Sequence, residues 1–168
     1  MRQIKVKQLT QESFSVYGTF ANLTSPQGPY LEMRDGKARF YRDIIFLNTG
    51  GQTTATLSVT QAFQIENKID AIEMHSKSTE CILPLDGDVI IHVAPATANG
   101  DMPVDRIEAF LIPKGTVVIL NRAVWHGAPF AVGRETVNSL ISLPERAYAE
   151  DCFVYAIPEQ DQAVIVTD

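Results

Sequence analysis

The chain of 168 residues has little cysteine, no cluster of basic residues and no long apolar run. Its two cysteines, Cys81 and Cys152, lie far apart and outside any CxxC pair, which excludes a disulfide-stapled scaffold and indicates a reducing compartment. The net charge of −6 argues against nucleic acid as a partner, because phosphate binding needs clustered lysine and arginine. No apolar stretch approaches the roughly 20 residues of a membrane span, and residues 1–7 do not resemble a secretory signal. We therefore expect a cytoplasmic protein with no nucleic-acid or membrane partner.

The dominant hydrophobic period is two, which is typical of β-strands. It is clearest over residues 53–63, where apolar and polar side chains alternate. About ten short strands separated by turn residues are expected, and helix is limited to one or two turns after Thr10, a residue that can cap them. With 45% hydrophobic and 20% charged residues, the length suits a single all-β domain over residues 1–168.

Two hairpins are expected in the middle of the chain. Asp86-Gly87 is a two-residue turn signal between two apolar runs. Before it, Glu73 and His75 lie two apart in one predicted strand, so their side chains share a face. The polar loop over residues 76–79 would fold the chain back and place Glu80 almost opposite His75, with Cβ atoms ~5 Å apart. Two carboxylates and an imidazole would then converge.

Such a cluster suits a divalent metal ion. Carboxylate oxygen and neutral imidazole nitrogen are ligands for Zn, Mn, Ni or Fe, and a small ligand set leaves coordination positions open for a substrate. Without a metal, two close carboxylates would repel each other, so the pKa of one of them would rise. No nucleotide cofactor is expected, and both cysteines are expected to pack as small hydrophobic side chains.

The spacing of His75, Glu80 and Gly87 resembles the first motif of the cupin superfamily, with Glu73 in place of its first histidine. Residues 113–115 resemble the start of the second cupin motif. A narrower resemblance is to the ureidoglycolate lyase family, called ureidoglycolate hydrolase in older usage. The segments that carry it are Leu9–Gly18, Glu73–His75, Ile82–Leu85, Gly87–Val89, Arg122–His126 and Ile157–Gln160.

This resemblance implies a cupin-type double-stranded β-helix, that is, a jelly-roll barrel, often assembled as a homodimer. It also implies an enzyme that splits ureidoglycolate, a small carboxylate, into glyoxylate and urea during allantoin and purine breakdown. Family members usually carry Pro, Gln and His where this chain has Ser76, Glu80 and Asn121. These departures leave open another cupin enzyme, such as an isomerase or epimerase of a hydroxy acid or sugar, or a cupin that binds a metabolite without turnover.

We assign roles to the candidate site residues as follows. The predicted metal ligands are Glu73, His75, Glu80 and His126, and Glu80 and His126 are also predicted to be catalytic. If no metal binds, Glu80 and His126 would act directly as an acid–base pair.

Three further residues are predicted to bind the substrate. Arg122 and Arg134 could hold a substrate carboxylate through a bidentate contact. Trp125, the only tryptophan, could form a pocket wall or fill the core, and both interpretations stay open. His92, inside an apolar run, is expected to be a hydrogen-bonded structural histidine, and a cavity-lining histidine is the alternative.

Overall fold

The computed structural model describes residues 1–64 and 66–167. Strands account for 46% of the residues, and α-helices together with the short 3₁₀ helices Val104–Arg106 and Glu159–Asp161 account for 8%, so the predicted all-β class is confirmed. The first helix begins where it was predicted, because the backbone N–H of Ser13 donates to Oγ1 of Thr10 at 3.1 Å and caps its first turn. Among the residues described, no helix is both long and apolar enough to cross a membrane.

The described part of the chain contains more strands than predicted, and many of them are only two to five residues long. In chain order the elements are β1 (Arg2–Gln8), α1 (Gln11–Phe14), β2 (Gly18–Asn22), β3 (Leu31–Met33), β4 (Ala38–Phe40), β5 (Ala55–Phe63), β6 (Lys68–Ile69), β7 (Ala71–Met74), β8 (Glu80–Pro84), β9 (Asp88–Ala94), β10 (Glu108–Ile112), β11 (Thr116–Leu120), β12 (Trp125–His126), β13 (Phe130–Val132), β14 (Thr136–Pro144), α2 (Ala147–Glu150), β15 (Phe153–Ala156) and β16 (Ala163–Val166).

These strands form two principal sheets. The larger has the order β15-β7-β12-β9-β10-β1-β16-β6, with β13 also paired to β9. The smaller has the order β2-β11-β8-β14-β5, and β3 and β4 form a separate two-stranded ribbon. Within the larger sheet β1 runs parallel to both β10 and β16, while the other described pairs are antiparallel.

Side chains from both principal sheets share one apolar core. Ile91 and Phe110 enter it from the larger sheet, Ile82 and Leu120 from the smaller one, and Phe14 of α1 closes it. The rings of Phe14 and Phe110 meet edge to face with centroids 5.2 Å apart. Each such side chain stabilises the fold by about 1.5–3 kcal/mol when fully buried. Two curled sheets around one core are the double-sheet, all-β architecture that was predicted.

The larger sheet carries a second apolar cluster on its outer face. Ile72, Ile90, Trp125 and Ile165 belong to this outer cluster. The indole of Trp125 is only 5% exposed, and its ring meets that of Tyr155 with centroids 6.3 Å apart. Because the larger sheet is covered on both faces, strand β9 is apolar almost throughout rather than alternating.

Neither predicted hairpin is formed. Strands β8 and β9 lie in different sheets, so Asp86-Gly87 is a corner between the sheets rather than a hairpin turn. The Asp86 carboxylate accepts hydrogen bonds from the backbone N–H and side-chain amide of Asn138 at 2.8 and 2.6 Å. A Cβ at Gly87 would lie 2.7 Å from a methyl group of Val137, so the glycine is required by close packing on β14. Strands β7 and β8 are likewise separated, because each pairs with strands distant in sequence.

Candidate functional site

Four polar side chains meet where β7 and β12 of the larger sheet face β8 of the smaller one. Glu73 and His126 are directly opposite each other in the β7–β12 pair, and His75 follows the end of β7. Glu80, the first residue of β8, points Oε2 at both rings, 2.8 Å from Nε2 of His126 and 3.1 Å from Nε2 of His75. Potential ligand atoms of Glu73, His75 and His126 all lie within 4.8 Å of one another. The four predicted metal ligands therefore converge, although by the facing of two sheets and not by a hairpin.

Both histidine rings are oriented by backbone carbonyl groups. Nδ1 of His75 lies 2.6 Å from the carbonyl oxygen of Asp151, and Nδ1 of His126 lies 3.0 Å from that of Val124. A carbonyl oxygen can only accept, so each Nδ1–H must donate. Both rings consequently present Nε2 to Glu80. This is the arrangement in which metal-ligating histidines are usually held.

The cluster is strongly coupled electrostatically. Burial alone raises the pKa of Glu80, but the charge of His126 and the contacts with both rings outweigh burial and lower it to about 2. Burial lowers the pKa of His126, yet the Glu80 carboxylate more than compensates and raises it to about 9. The pKa of His75 is also raised, because Glu80 and the Asp151 carbonyl outweigh its burial. The metal-free site therefore holds a buried carboxylate–imidazolium pair.

One electrostatic expectation is wrong. We expected mutual repulsion to raise the pKa of one carboxylate, but the pKa of Glu80 is lowered. The reason is geometric, since Glu80 faces two imidazole rings and not the carboxylate of Glu73. Nε2 of His75 lies outside hydrogen-bond geometry with Glu80 and has no hydrogen-bond partner among the described residues. Its attraction to Glu80 is thus an electrostatic contact.

The turn after α2 supports the cluster from behind. The Asp151 carboxylate accepts hydrogen bonds from the backbone N–H and hydroxyl of Ser76, at 3.0 and 2.7 Å, and from the backbone N–H of Lys77 at 2.8 Å. Sγ of Cys152 donates to Oε2 of Glu73 at 3.0 Å. Burial, followed by the contact with Glu73, raises the pKa of Cys152 to about 12. Cys152 is therefore more than the packing residue we expected.

The cluster opens to a small cavity of about 70 Å³. Besides Glu73, Glu80 and His126, its lining includes the hydroxyl-bearing side chains of Thr60 and Tyr148. The cavity shares part of its lining with a groove of about 660 Å³ that runs between β5 and β7. Sequence reasoning missed Thr60, Tyr148, Asp151 and Cys152, because nothing near them in sequence marks them and their partners lie on distant strands.

The predicted substrate-binding residues lie elsewhere. Trp125 neighbours His126 along β12, so its side chain points to the opposite face, into the outer cluster. Arg122 is exposed, and the guanidinium of Arg134 donates to the backbone carbonyl of Asp86. In the described part of the chain, none of these three residues lines the cavity or the groove.

His92 is buried on the outer face of β9. Its ring stacks on Phe130 with centroids 5.4 Å apart, and burial, followed by the charge of His126, lowers its pKa to about 3. Neither ring nitrogen has a hydrogen-bond partner among the residues described, so the expected hydrogen-bonded histidine is not observed. His92 lines the groove instead, which was the alternative. The backbone of Gly127 packs directly on this ring, leaving no room for a Cβ.

Comparison with known proteins agrees with this geometry. The family model described as ureidoglycolate lyase matches residues 1–164. The chain belongs to the ureidoglycolate lyase family. The ureidoglycolate lyases of Escherichia coli (strain K12 / DH10B) and Shigella flexneri are each 26% identical to it over 161 residues, which cover 95% of this chain and 97% of each relative.

A solved vicilin from Solanum melongena is a weaker match, with a TM-score of 0.42 and 12% identity over 61% of this chain and 26% of the vicilin. That likeness is too low to bear on fold or function.

Within the ureidoglycolate lyase family pattern, the three departures occupy different positions. Glu80 lines the cavity directly. Ser76 hydrogen-bonds to Asp151 behind the site, and Asn121 is exposed, with its backbone N–H donating to the carbonyl of Tyr17 at 2.8 Å. Glu80 is therefore the departure that changes the chemistry of the cavity itself.

Proposed function

We propose that this protein is a ureidoglycolate lyase that splits ureidoglycolate into glyoxylate and urea. The observation that carries the proposal is the buried cluster of Glu73, His75, Glu80 and His126 in a member of that family. It supplies proton donors and acceptors beside a cavity of about 70 Å³ that adjoins a groove of about 660 Å³.

The reaction requires two proton movements. The central carbon of ureidoglycolate carries a carboxylate, a hydroxyl and a ureido nitrogen. When the hydroxyl loses its proton, the C–O bond becomes the carbonyl of glyoxylate, and the electron pair of the C–N bond leaves with nitrogen. That nitrogen must gain a proton to depart as urea. The site therefore needs one base and one acid on either side of this carbon.

His126 and the two carboxylates can fill these roles. His126, held as an imidazolium by Glu80, has an Nε2–H that can be given to the ureido nitrogen. Glu73, directly opposite His126 on the neighbouring strand, offers a carboxylate that can accept the hydroxyl proton. Glu80 stays ionised throughout and stabilises the imidazolium, so Glu80 and His126 act as a unit.

The residues present also fit a divalent metal. Both Nδ1–H groups donate to carbonyl oxygens, so each Nε2 faces the space between the rings and the carboxylates. Once Nε2 loses its proton, its lone pair is free to bind a metal ion there. Glu73, His75 and His126 would hold the ion, with Glu80 alongside. Zn, Mn, Ni or Fe bound there would supply Lewis-acid polarisation of the substrate oxygens. With both rings serving as ligands, Glu80 is the carboxylate left to accept the hydroxyl proton.

The lining of the cavity favours substrate binding by groups other than arginine. In the part of the chain that the structure describes, no lysine or arginine lines the small cavity. One lysine, Lys68, lines the adjoining groove. The substrate carboxylate would be neutralised by the imidazolium groups or a metal, with Thr60 and Tyr148 as hydroxyl donors. The roles predicted for Arg122, Trp125 and Arg134 stay predictions.

We also propose that the protein is a single domain, as its length suggests, that it is cytoplasmic, as its low cysteine content suggests, and that it is a homodimer, as the resemblance implies. The dimer is supported by β5, which forms one edge of the smaller sheet and exposes Leu57, Val59 and Phe63 along one face. Light scattering at defined concentration tests this. A dimer that becomes a monomer in the Val59→Lys variant is the expected result, and a monomeric wild-type protein would overturn it.

Turnover of ureidoglycolate tests the proposed activity. Purified protein should release glyoxylate and urea in equal amounts, either as isolated or after adding Zn, Mn, Ni or Fe to chelator-treated protein. His126→Asn should lower kcat by roughly 10²–10⁴-fold, the usual contribution of an acid–base group. Glu80→Gln should also lower kcat, because Glu80 and His126 act as a unit. Glu108→Gln is its matched control, since Glu108 pairs with Lys7 at 2.7 Å away from the site. Absence of turnover under all of these conditions would overturn the proposal.

A further inference from the structure

The thiol of Cys152 is in direct contact with one of the four cluster residues. Sγ lies 3.0 Å from Oε2 of Glu73. A carboxylate offers only acceptors, so the S–H group must be the donor. No other side-chain hydrogen bond reaches Glu73 within residues 1–64 and 66–167. We propose that Cys152 is a positioning residue, whose thiol holds the Glu73 carboxylate in the orientation that faces His75 and His126.

Strand pairing explains how a residue so distant in sequence reaches Glu73. Strand β15 pairs with β7 in a register that sets Val154 opposite Glu73 and Phe153 opposite Met74. Cys152 comes two residues before Val154, and extending the alternation of the strand by one residue places its side chain on the side of Val154 and Glu73. Cys152 immediately precedes β15, so the pairing of β15 with β7 brings the turn that carries its thiol next to Glu73.

The residue before Cys152 acts on the other half of the cluster. The Asp151 carbonyl accepts from Nδ1 of His75 at 2.6 Å, and the Asp151 carboxylate anchors the loop that follows His75 through Ser76 and Lys77. Two consecutive residues therefore orient two of the potential metal ligands. Groups that hold metal ligands in this way typically change metal affinity or activity by about 10–100-fold when mutated.

A neutral donor is suited to this position. A lysine or arginine would neutralise Glu73 and compete with a cation or a substrate proton for its charge. A thiol fixes one carboxylate oxygen and leaves the charge of the group intact. Serine can make the same hydrogen bond with a shorter reach, so Cys152→Ser should preserve most of the effect and Cys152→Ala should remove it.

The test measures the affinity of chelator-treated protein for Zn²⁺ alone, by competition with a chromophoric chelator at pH 7.5. Wild-type protein, Cys152→Ser, Cys152→Ala and the control Cys81→Ala are compared. Cys81 is buried among Val117 and Ile119, away from Glu73, which makes it a matched cysteine. Cys152→Ala should bind Zn²⁺ about 10–100-fold more weakly, Cys152→Ser within about threefold of wild type, and Cys81→Ala like wild type.

Kinetics with ureidoglycolate give a second measurement, which depends on the proposed function. Cys152→Ala should lower kcat about tenfold or more with little change in KM, and Cys152→Ser should restore it. Unchanged Zn²⁺ affinity in a folded Cys152→Ala variant would overturn the positioning role even if the wild-type enzyme is a lyase. A tenfold loss of Zn²⁺ affinity without turnover by the wild type would keep the positioning role and reject the lyase.

Discussion

Oε2 of Glu80 lies 2.8 Å from Nε2 of His126, with both side chains almost fully buried. A buried pair of this kind stabilises the fold only when both groups are charged or when a metal ion takes the place of the proton. An unpaired buried charge is strongly destabilising. The pH dependence of the metal-free protein should therefore report on this pair.

The Glu80–His126 pair should contribute most to the stability of the metal-free protein between about pH 4.5 and 6.5. The pKa of Glu80 falls from 4.5 to about 2, so its contribution is present above pH 4.5 and is lost as the pH falls toward 2. The pKa of His126 rises from 6.5 to about 9, so its contribution is complete below pH 6.5 and is lost as the pH rises through 9. Thermal melting between pH 3 and pH 10 measures this window.

The Glu80→Gln variant should flatten this profile. Glutamine keeps the shape of the side chain but removes the charge that holds the proton on His126, so stability should fall less between pH 6.5 and 9 than in the wild type. At pH 6 the variant should be less stable by about 1–3 kcal/mol, the usual cost of weakening a buried charged hydrogen bond. Glu108→Gln should keep the wild-type profile, and an unaltered profile in Glu80→Gln would contradict the assignment.

Metal affinity should increase with pH over the range in which the contribution of His126 to the stability of the metal-free protein decreases. A metal must displace the proton from Nε2 of His126, whose pKa is about 9, and compete with the raised pKa of His75. Apparent Zn²⁺ affinity should therefore rise at least tenfold for each pH unit between 6.5 and 8.5, with proton release in calorimetry. An affinity independent of pH would show that the two Nε2 atoms are not the ligands.

Trp125→Phe should affect stability more than catalysis. The indole lies in the outer cluster against Tyr155, so its loss should cost about 1–3 kcal/mol of unfolding free energy while KM stays within twofold. Denaturant unfolding and steady-state kinetics separate the two effects. A large rise in KM with unchanged stability would instead restore the predicted role of Trp125 in substrate binding.

Tyr148→Phe should affect catalysis more than stability. The phenol lines the cavity, and burial followed by the charges of Glu80 and Glu73 raises its pKa, so it stays a donor at working pH. Since the side chain is 55% exposed, its removal should change stability little but lower kcat/KM about tenfold. Tyr155→Phe, on the outer face, is the control. Equal kinetic effects from both variants would argue against a substrate contact at Tyr148.

The sequence predicted the members of the cluster better than the way they meet. Glu73, His75, Glu80 and His126 could be found because their residue types are rare in apolar strands and their spacing matches a known motif. The sheet pairing could not be found, because β8 and β9 look locally like a hairpin and only long-range pairing with β10, β11 and β14 separates them. Strand alternation also determines which face of the sheet each side chain occupies. Trp125 and His126 are adjacent in sequence, so they point to opposite faces.

The supporting residues were invisible for a related reason. Asp151 and Cys152 act on His75 and Glu73 through the β7–β15 pairing, which is set far along the chain. Their own neighbourhood is an ordinary polar turn after a short helix. A pattern of local residue types carries no information about such contacts.

The contact between Gly127 and the ring of His92 couples the residue types that these two positions can accept. A Cβ at position 127 would clash with Nε2 of His92, so any larger residue there requires the buried imidazole to move. A smaller residue at position 92 would remove this restriction, so larger residues at position 127 should be tolerated only together with a change at position 92.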